Sequence, residues 1–221
     1  MKEKVSATQK ALNVWAIVLI LWSIYRANFR TDFPIWFDEF IMKPLFFILP
    51  VYAYIRKIEL KPFFERVGLH TKSLGGDILI GLAVGMGFLF SGYIASTLRT
   101  PATHIDIFTL IISTQTLYLL FVVLATAFSE EILSRGFILK RLYEDSRSAF
   151  QAIVISSVLF FFLHIPMLFT SEKITGILLL RIMTTDLLLS VVVSILFLQR
   201  KSLISPIIVH ALYNLSLILF I

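Results

Sequence analysis

The chain has 221 residues, of which 58% are hydrophobic and only 15% are charged. A soluble domain of this size has too little interior to bury so much apolar surface, so the composition excludes a soluble globular protein and predicts a polytopic membrane protein. There is no cysteine, which excludes disulfides, thiolate metal sites and cysteine catalysis. The net charge of +6 is expected to belong to the loops, and no segment resembles a nucleic-acid-binding module.

Apolar segments follow one another along the chain, separated by short polar turns. The first is expected to remain in the mature protein, because spans of equal strength follow and no Ala-x-Ala cleavage site stands after it. The pattern predicts an all-α fold: a polytopic membrane helical bundle of about seven transmembrane helices, with six or eight as alternatives, in one domain covering residues 1–221. The predicted spans are Ala11–Tyr25, Ile41–Ile55, Ile78–Leu98, a fourth from Ile107, Ala149–Phe169, Ile174–Leu198 and Leu203–Ile221.

The second and third spans contain residues that are unusual in an apolar helix. Pro44 and Pro50 interrupt the second span, and Lys43 at its end is expected to snorkel toward the headgroups. The third span is rich in small residues, which permit close approach of a neighbouring helix. These small residues are Gly81, Gly85, Gly87 and Gly92.

The distribution of lysine and arginine predicts the orientation in the membrane. The N-terminal tail and the connectors after spans two, four and six hold 14 of these residues, when Arg135 is counted with the connector that follows it, and the opposite loops hold 5, when Lys43 is counted with the loop before it. The twentieth, Arg181, lies within a span. Because positive residues are retained on the cytoplasmic side, the N-terminus is expected in the cytoplasm and the C-terminus outside.

The fourth span carries three ionisable residues, Glu130, Glu131 and Arg135. Each costs roughly 3 kcal/mol at the centre of a membrane helix even on mild insertion scales, so their presence needs a reason. On a helix Glu131 and Arg135 are i, i+4 neighbours and can pair, whereas Glu130 is turned about 100° away, over Ser134. One carboxylate is therefore expected to be structural and the other free for chemistry. The alternative is that all three form only a cluster of ion pairs that holds two helices together.

Three further polar residues are expected at the depth of Glu130. Glu130 and His164 are 34 residues apart, with their midpoint in the polar turn near Arg147, so an antiparallel hairpin places them at one level. His210 stands seven residues after the last polar turn, and Asn214 lies one helical turn further on the same face. The predicted depth is about 10–20 Å below the cytoplasmic surface at 1.5 Å per residue.

Such a set of side chains can perform hydrolysis. A carboxylate and an imidazole can orient and deprotonate a water molecule, and a second imidazole with an amide can donate hydrogen bonds to a tetrahedral oxyanion. The same four side chains could instead bind a divalent, zinc-like ion with water in an open position. The residues alone do not decide between these two chemistries, although the His-Glu-x-x-His zinc motif is absent.

Three motifs resemble those of the CPBP family, which includes type II CAAX prenyl endopeptidases and bacteriocin-processing or immunity proteins. They occur in the family's order, and the resemblance covers residues 107–221, which are expected to form the catalytic core. The motifs are Glu130-Glu131-x-x-x-Arg135, Phe160-x-x-x-His164 and His210-x-x-x-Asn214.

The resemblance implies an intramembrane endopeptidase whose site opens toward the cytoplasm. By position in the motifs, Glu130 and His164 would activate water, His210 and Asn214 would form the oxyanion site, and the pair Glu131 and Arg135 would support both. The implied substrates are prenylated CAAX tails or leader and bacteriocin-type peptides. The family is variously described as metal-dependent and glutamate-dependent, and the glutamate mechanism is favoured here.

Two alternative functions fit a membrane protein with buried charges. A proton-coupled transporter uses similar residues, although no inverted repeat with matched broken helices is present. A non-catalytic immunity or scaffold protein would retain the motifs for its fold. Arg181 and Asp186 lie about 140° apart on the sixth span, so they are expected to contact neighbouring helices or water rather than each other.

Overall fold

The computed structural model describes residues 6–29, 33–99, 113–169 and 176–220. These residues form helices joined by short turns, and no strand occurs among them. The helices in chain order are α1 (Ala7–Asn28), α2 (residues 35–59), α3 (Phe63–Val67), α4 (Leu74–Arg99), α5 (Thr114–Ser146), α6 (Ala149–Phe169), α7 (Gly176–Arg200) and α8 (Ile204–Phe220).

Five helices, α1 and α4 to α7, are long and apolar enough to cross a membrane, and α8 is a shorter apolar helix. The prediction of an all-α polytopic membrane bundle is therefore confirmed. The predicted second span lies within α2, which is not one of the five, so a total of seven spans stays a prediction. The predicted start of the fourth span at Ile107 lies outside the described residues; the described helix begins at Thr114, where the Ser113 hydroxyl accepts a hydrogen bond from the Thr116 amide.

Two helices change locally from α-helical to π-helical hydrogen bonding. In α2 the π-helical turns are Asp38–Met42, Pro44–Ile48 and Ile55–Glu59. Proline lacks the amide hydrogen of a regular turn, so Pro44 favours an altered pattern there. In α5 the π-helical segment is Ile132–Leu139, and all eight of its residues are buried. Segments of this kind recur at functional sites in other proteins.

The glycines of α4 form the contact with α8. Added Cβ atoms at Gly81 and Gly85 would lie 3.0 Å from Ile208 and 2.6 Å from Leu212, and one at Gly92 would overlap Ser216. The predicted helix-packing face is thus present, but Gly87 does not belong to it, because a Cβ there would meet no atom within 4 Å.

The largest apolar cluster joins α1, α2, α3, α5 and α6 around residues such as Trp22, Phe47 and Phe137. At the end of α5 that leads to α6, Arg141 is buried and donates hydrogen bonds to both carboxylate oxygens of Glu59 on α2. Arg66 on α3 donates to Glu144 and Glu59, and these hydrogen bonds hold the pKa of its guanidinium above the ordinary value. Helices α2 and α3 are thereby attached to α5.

Candidate active site

The ion pair predicted within α5 is present. Arg135 Nη1 donates to Glu131 Oε1 at 2.8 Å, and both side chains are completely buried. Arg135 Nη2 donates to the hydroxyl and carbonyl oxygens of Ser190 on α7, at 2.6 and 3.1 Å. The guanidinium also lies 4.4 Å from the centroid of the Phe160 ring on α6. A buried arginine requires this many partners, because an unpaired charge in the interior is costly.

The same Glu131 oxygen orients His210. His210 Nδ1 lies 2.7 Å from Glu131 Oε1. Because the carboxylate is paired with Arg135 and can only accept, Nδ1 carries the hydrogen. This contact turns the other ring nitrogen, Nε2, toward Glu130, whose Oε2 atom is 3.7 Å away.

His164 is oriented by the backbone of its own helix. Its Nδ1 atom lies 3.1 Å from the Phe160 carbonyl oxygen, one turn earlier on α6. A carbonyl oxygen accepts only, so Nδ1 again carries the hydrogen and Nε2 of the neutral ring presents a lone pair. That lone pair faces Glu130 Oε2 at 3.6 Å.

Glu130 is buried at the meeting point of these groups. Its Oε1 atom accepts a hydrogen bond from Lys43 Nζ at 2.8 Å. Its Oε2 atom is buried and has no hydrogen-bond partner among the described residues. Both imidazole Nε2 atoms lie just beyond hydrogen-bond distance of Oε2, so neither ring uses this oxygen as its hydrogen-bond partner.

The structure thus brings three of the six predicted site residues, Glu130, His164 and His210, around one point, with Glu131 and Arg135 directly behind them. Asn214 lies one turn beyond His210 on α8 and is partly exposed. In the described part of the chain Asn214 makes no hydrogen bond to the other five.

Lys43 does not snorkel, and this prediction was wrong. The side chain is only 6% exposed, and its ammonium lies between Glu130 and Glu39, which is 2.7 Å away. Thr126 on α5 donates a hydrogen bond to the same Glu39 at 2.6 Å. The sequence predicted Lys43 near the headgroups because no partner for it on another helix could be identified. The i, i+4 spacing of Glu39 and Lys43 was the available signal that both could be paired and buried.

The residues of the site do not fit a metal centre. The Lys43 ammonium already occupies one oxygen of Glu130, and a cation this close opposes a divalent ion at the same carboxylate. Within the described ranges no three histidine, aspartate or glutamate side chains are grouped so that they could hold a metal ion.

Comparison with known protein families matches residues 112–216 to the family described as type II CAAX prenyl endopeptidase Rce1-like. This segment of the chain is similar to that family. The resemblance indicated by the three motifs is confirmed, and the matched segment contains all six predicted site residues. The Rce1-like assignment supports a CAAX-type membrane protease in general terms. Searches of curated proteins and of solved structures found no match.

Arg181 and Asp186 make no contact with the residues around Glu130 in the described part of the chain. Asp186 is buried and accepts a hydrogen bond from the Tyr213 hydroxyl of α8 at 2.6 Å. Arg181 is exposed and borders a cavity of about 480 Å³ between α4, α7 and α8. The two side chains do not pair with each other.

Proposed function

We propose that the protein is an intramembrane endopeptidase that hydrolyses a peptide bond with a water molecule activated by Glu130 and His164. The observation that carries this proposal is the buried, unpartnered Oε2 atom of Glu130, 3.6 Å and 3.7 Å from two imidazole nitrogens. The Rce1-like family of the same segment supports a protease.

The first step follows from the hydrogen-bonding state of each atom. A water molecule donates one hydrogen to Glu130 Oε2 and the other to His164 Nε2, because both atoms are acceptors. The oxygen lone pair then points away from both and attacks the scissile carbonyl carbon. As the carbon–oxygen bond forms, the water proton passes to Glu130, and it is later delivered to the leaving amine when the carbon–nitrogen bond breaks.

The oxyanion of the tetrahedral intermediate needs hydrogen-bond donors. His210 donates from Nδ1 to Glu131, so its Nε2 atom donates only when the ring is doubly protonated. Asn214, one turn away and partly exposed, supplies the amide donor once substrate is bound.

The substrate class is proposed from the surroundings of the site. A mostly apolar cavity of about 440 Å³ lies between α2 and α5 and is lined by Glu39 and by Ser129, the residue before Glu130. Such a cavity suits an apolar or lipidated peptide that approaches from the bilayer. Prenylated CAAX tails and leader or bacteriocin-type peptides are the candidates.

The remaining proposals concern placement in the membrane. The N-terminus faces the cytoplasm, the C-terminus faces outside, and the site opens toward the cytoplasm, as the distribution of lysine and arginine predicts. The whole chain forms one domain, with residues 107–221 as its catalytic core.

The decisive experiment measures cleavage of a fluorogenic prenylated peptide and of an unmodified leader-type peptide by the purified protein. Glu130→Gln is expected to lower kcat by about 10²- to 10⁴-fold, the usual contribution of a general base. Glu65→Gln, at an exposed position of α3, is the matched control and is expected to cleave normally. A chelator is expected to leave the rate unchanged.

Three outcomes would reject this proposal. Equal cleavage by wild type and Glu130→Gln would show that Glu130 is not the base. Full biological activity of Glu130→Gln would favour the scaffold or immunity role, whereas transport by reconstituted protein that survives loss of His164 and His210 would favour a transporter.

A further inference from the structure

Lys43 lies on α2, outside the Rce1-like segment at residues 112–216, yet it contacts the predicted base of the reaction. Its ammonium is buried between two carboxylates, 2.8 Å from Glu130 Oε1 and 2.7 Å from Glu39 Oε2. A lysine is seldom buried unless it is paired, so this position has a specific role.

We propose that Lys43 is a positioning residue of the active site: it holds Glu130 ionised and turned so that Oε2 faces the two imidazoles. This inference rests on the proposed function, since it assigns a partner to the base of that reaction. Lys43 does not itself touch the water or the substrate.

The contacts of Lys43 form a closed path that begins and ends on α5. Thr126 donates to Glu39 at 2.6 Å, Glu39 pairs with Lys43, and Lys43 donates to Glu130, one helical turn after Thr126. The ammonium is thereby held in place from both sides. Only one oxygen of Glu130 is used, and the other remains available for the reaction.

The electrostatic consequence concerns the charge of Glu130. In the described part of the chain, Lys43 is the one permanent cation in direct contact with this carboxylate, because Arg135 binds Glu131 instead. A buried carboxylate without a nearby cation takes up a proton, and a protonated carboxyl cannot deprotonate water. The groups that face Glu130 are Lys43 from α2, His164 from α6, His210 from α8, and Glu131 with Arg135 from its own helix.

The test compares pH–rate profiles of the full-length protein in detergent. In Lys43→Met the fall of kcat/KM on the acidic side of the pH–rate profile is expected to occur about 1–3 pH units higher than in wild type. This is the range expected when an opposite charge is removed from beside a carboxylate. Lys43→Arg keeps the positive charge, so the acidic side of its pH–rate profile is expected to match that of wild type. Its kcat is expected to be lower, because the guanidinium has a different shape.

Arg26→Met is the matched control. Arg26 on α1 forms an ion pair at 3.3 Å with Asp38 on α2, the helix that also carries Lys43. Arg26 does not touch Glu130. Its pH profile is expected to equal that of wild type. An unchanged acidic limb in Lys43→Met, or the same shift in Arg26→Met, would overturn the inference.

A second measurement does not depend on activity. The protonated carboxyl of Glu130 gives a carbonyl stretching band in infrared difference spectra, identified by its loss in Glu130→Gln. This band is expected to appear at higher pH in Lys43→Met than in wild type. If the protein cleaves neither peptide, this band still tests Lys43 separately from the proposed function. The same titration in both proteins would overturn the inference.

The stability of a double variant covers the case in which Lys43→Met folds but is too unstable for the pH–rate measurements. Lys43→Met with Glu130→Gln removes both charges of the pair, so the double variant is expected to have a higher Tm than Lys43→Met alone. A lower Tm than either single variant would show that the two side chains do not act as a pair.

Discussion

At Glu130, His164 and His210, each side chain uses one polar atom for a protein neighbour and presents its other polar atom to the same small volume. Glu130 binds Lys43 through Oε1, and the two histidines are held through Nδ1. Their orientations are therefore set before substrate arrives, which is the condition for electrostatic preorganisation. The residues that hold them should affect catalysis without touching the reacting atoms.

Glu131 provides a test of this view at the level of single residues. Glu131→Gln removes the charge that balances the completely buried Arg135 and is expected to lower the free energy of unfolding by about 3–5 kcal/mol, as for other broken buried ion pairs. The change in Tm in detergent is the measurement.

A double variant separates the two roles of Glu131. Glu131→Gln with Arg135→Met leaves no unpaired buried charge, so much of the stability is expected to return. Cleavage is expected to stay impaired, because His210 has lost the carboxylate that orients it. A double variant that cleaves like wild type would show that Glu131 serves only Arg135.

Among the helices, α5 carries three of the six predicted site residues and contains the buried π-helical segment Ile132–Leu139. Within that segment Gly136 lies directly against α3, since an added Cβ would be 2.8 Å from the Val67 carbonyl oxygen. The close approach of α3 to α5 therefore requires glycine at this position. The segment also places Arg135, next to Gly136, toward α7.

Substitution of Gly136 tests the importance of this contact. Gly136→Ala forces backbone atoms apart and is expected to destabilise the protein by about 1–3 kcal/mol, as overpacked sites do. Gly87→Ala is the control, because a Cβ there meets no atom within 4 Å and alanine favours the helix. Thermal unfolding of both variants gives the comparison, and equal Tm values for the two would contradict the prediction.

Considered as a whole, the molecule builds its site from both halves of the chain. The Rce1-like segment holds the six predicted residues, and α2 from the first half contributes Lys43 and Glu39. The ion pairs of Glu59 and Arg66 attach this half to α5 near the turn that leads to α6. The direction in which the whole assembly faces is predicted by the loop charges and stays a prediction.

The absence of cysteine allows this orientation to be measured directly. A single cysteine in place of Asn28, at the end of α1, is expected to react with a membrane-impermeant maleimide in intact cells. One in place of Lys72, just before α4, is expected to react only after lysis. Both positions are exposed in the structure. The reverse pattern would place the N-terminus outside and would turn the site away from the cytoplasm.

The sequence by itself was sufficient for features that follow from helix geometry and composition. Long apolar runs without charge must be helical in a bilayer, because each backbone polar group is then satisfied within its own segment. The spacing of Glu131 and Arg135 predicted their pair, and counting from the turn near Arg147 placed Glu130 level with His164. These relations either lie within one helix or depend only on the position of the turn between two consecutive helices.

Only the tertiary structure decided which side chains of distant helices meet. Lys43 was expected at the membrane surface, because nothing in its own helix shows that a carboxylate 87 residues later will face it. The rotation of α2 about its axis depends on its π-helical turns and on its packing against α1 and α5. Helix geometry alone separates Gly87 from Gly85, because the two lie about 160° apart around α4. That the face of Gly85 packs against α8 was decided only by the tertiary structure. Contacts of this kind arise from the relative positions of whole helices, which no periodicity within one helix encodes.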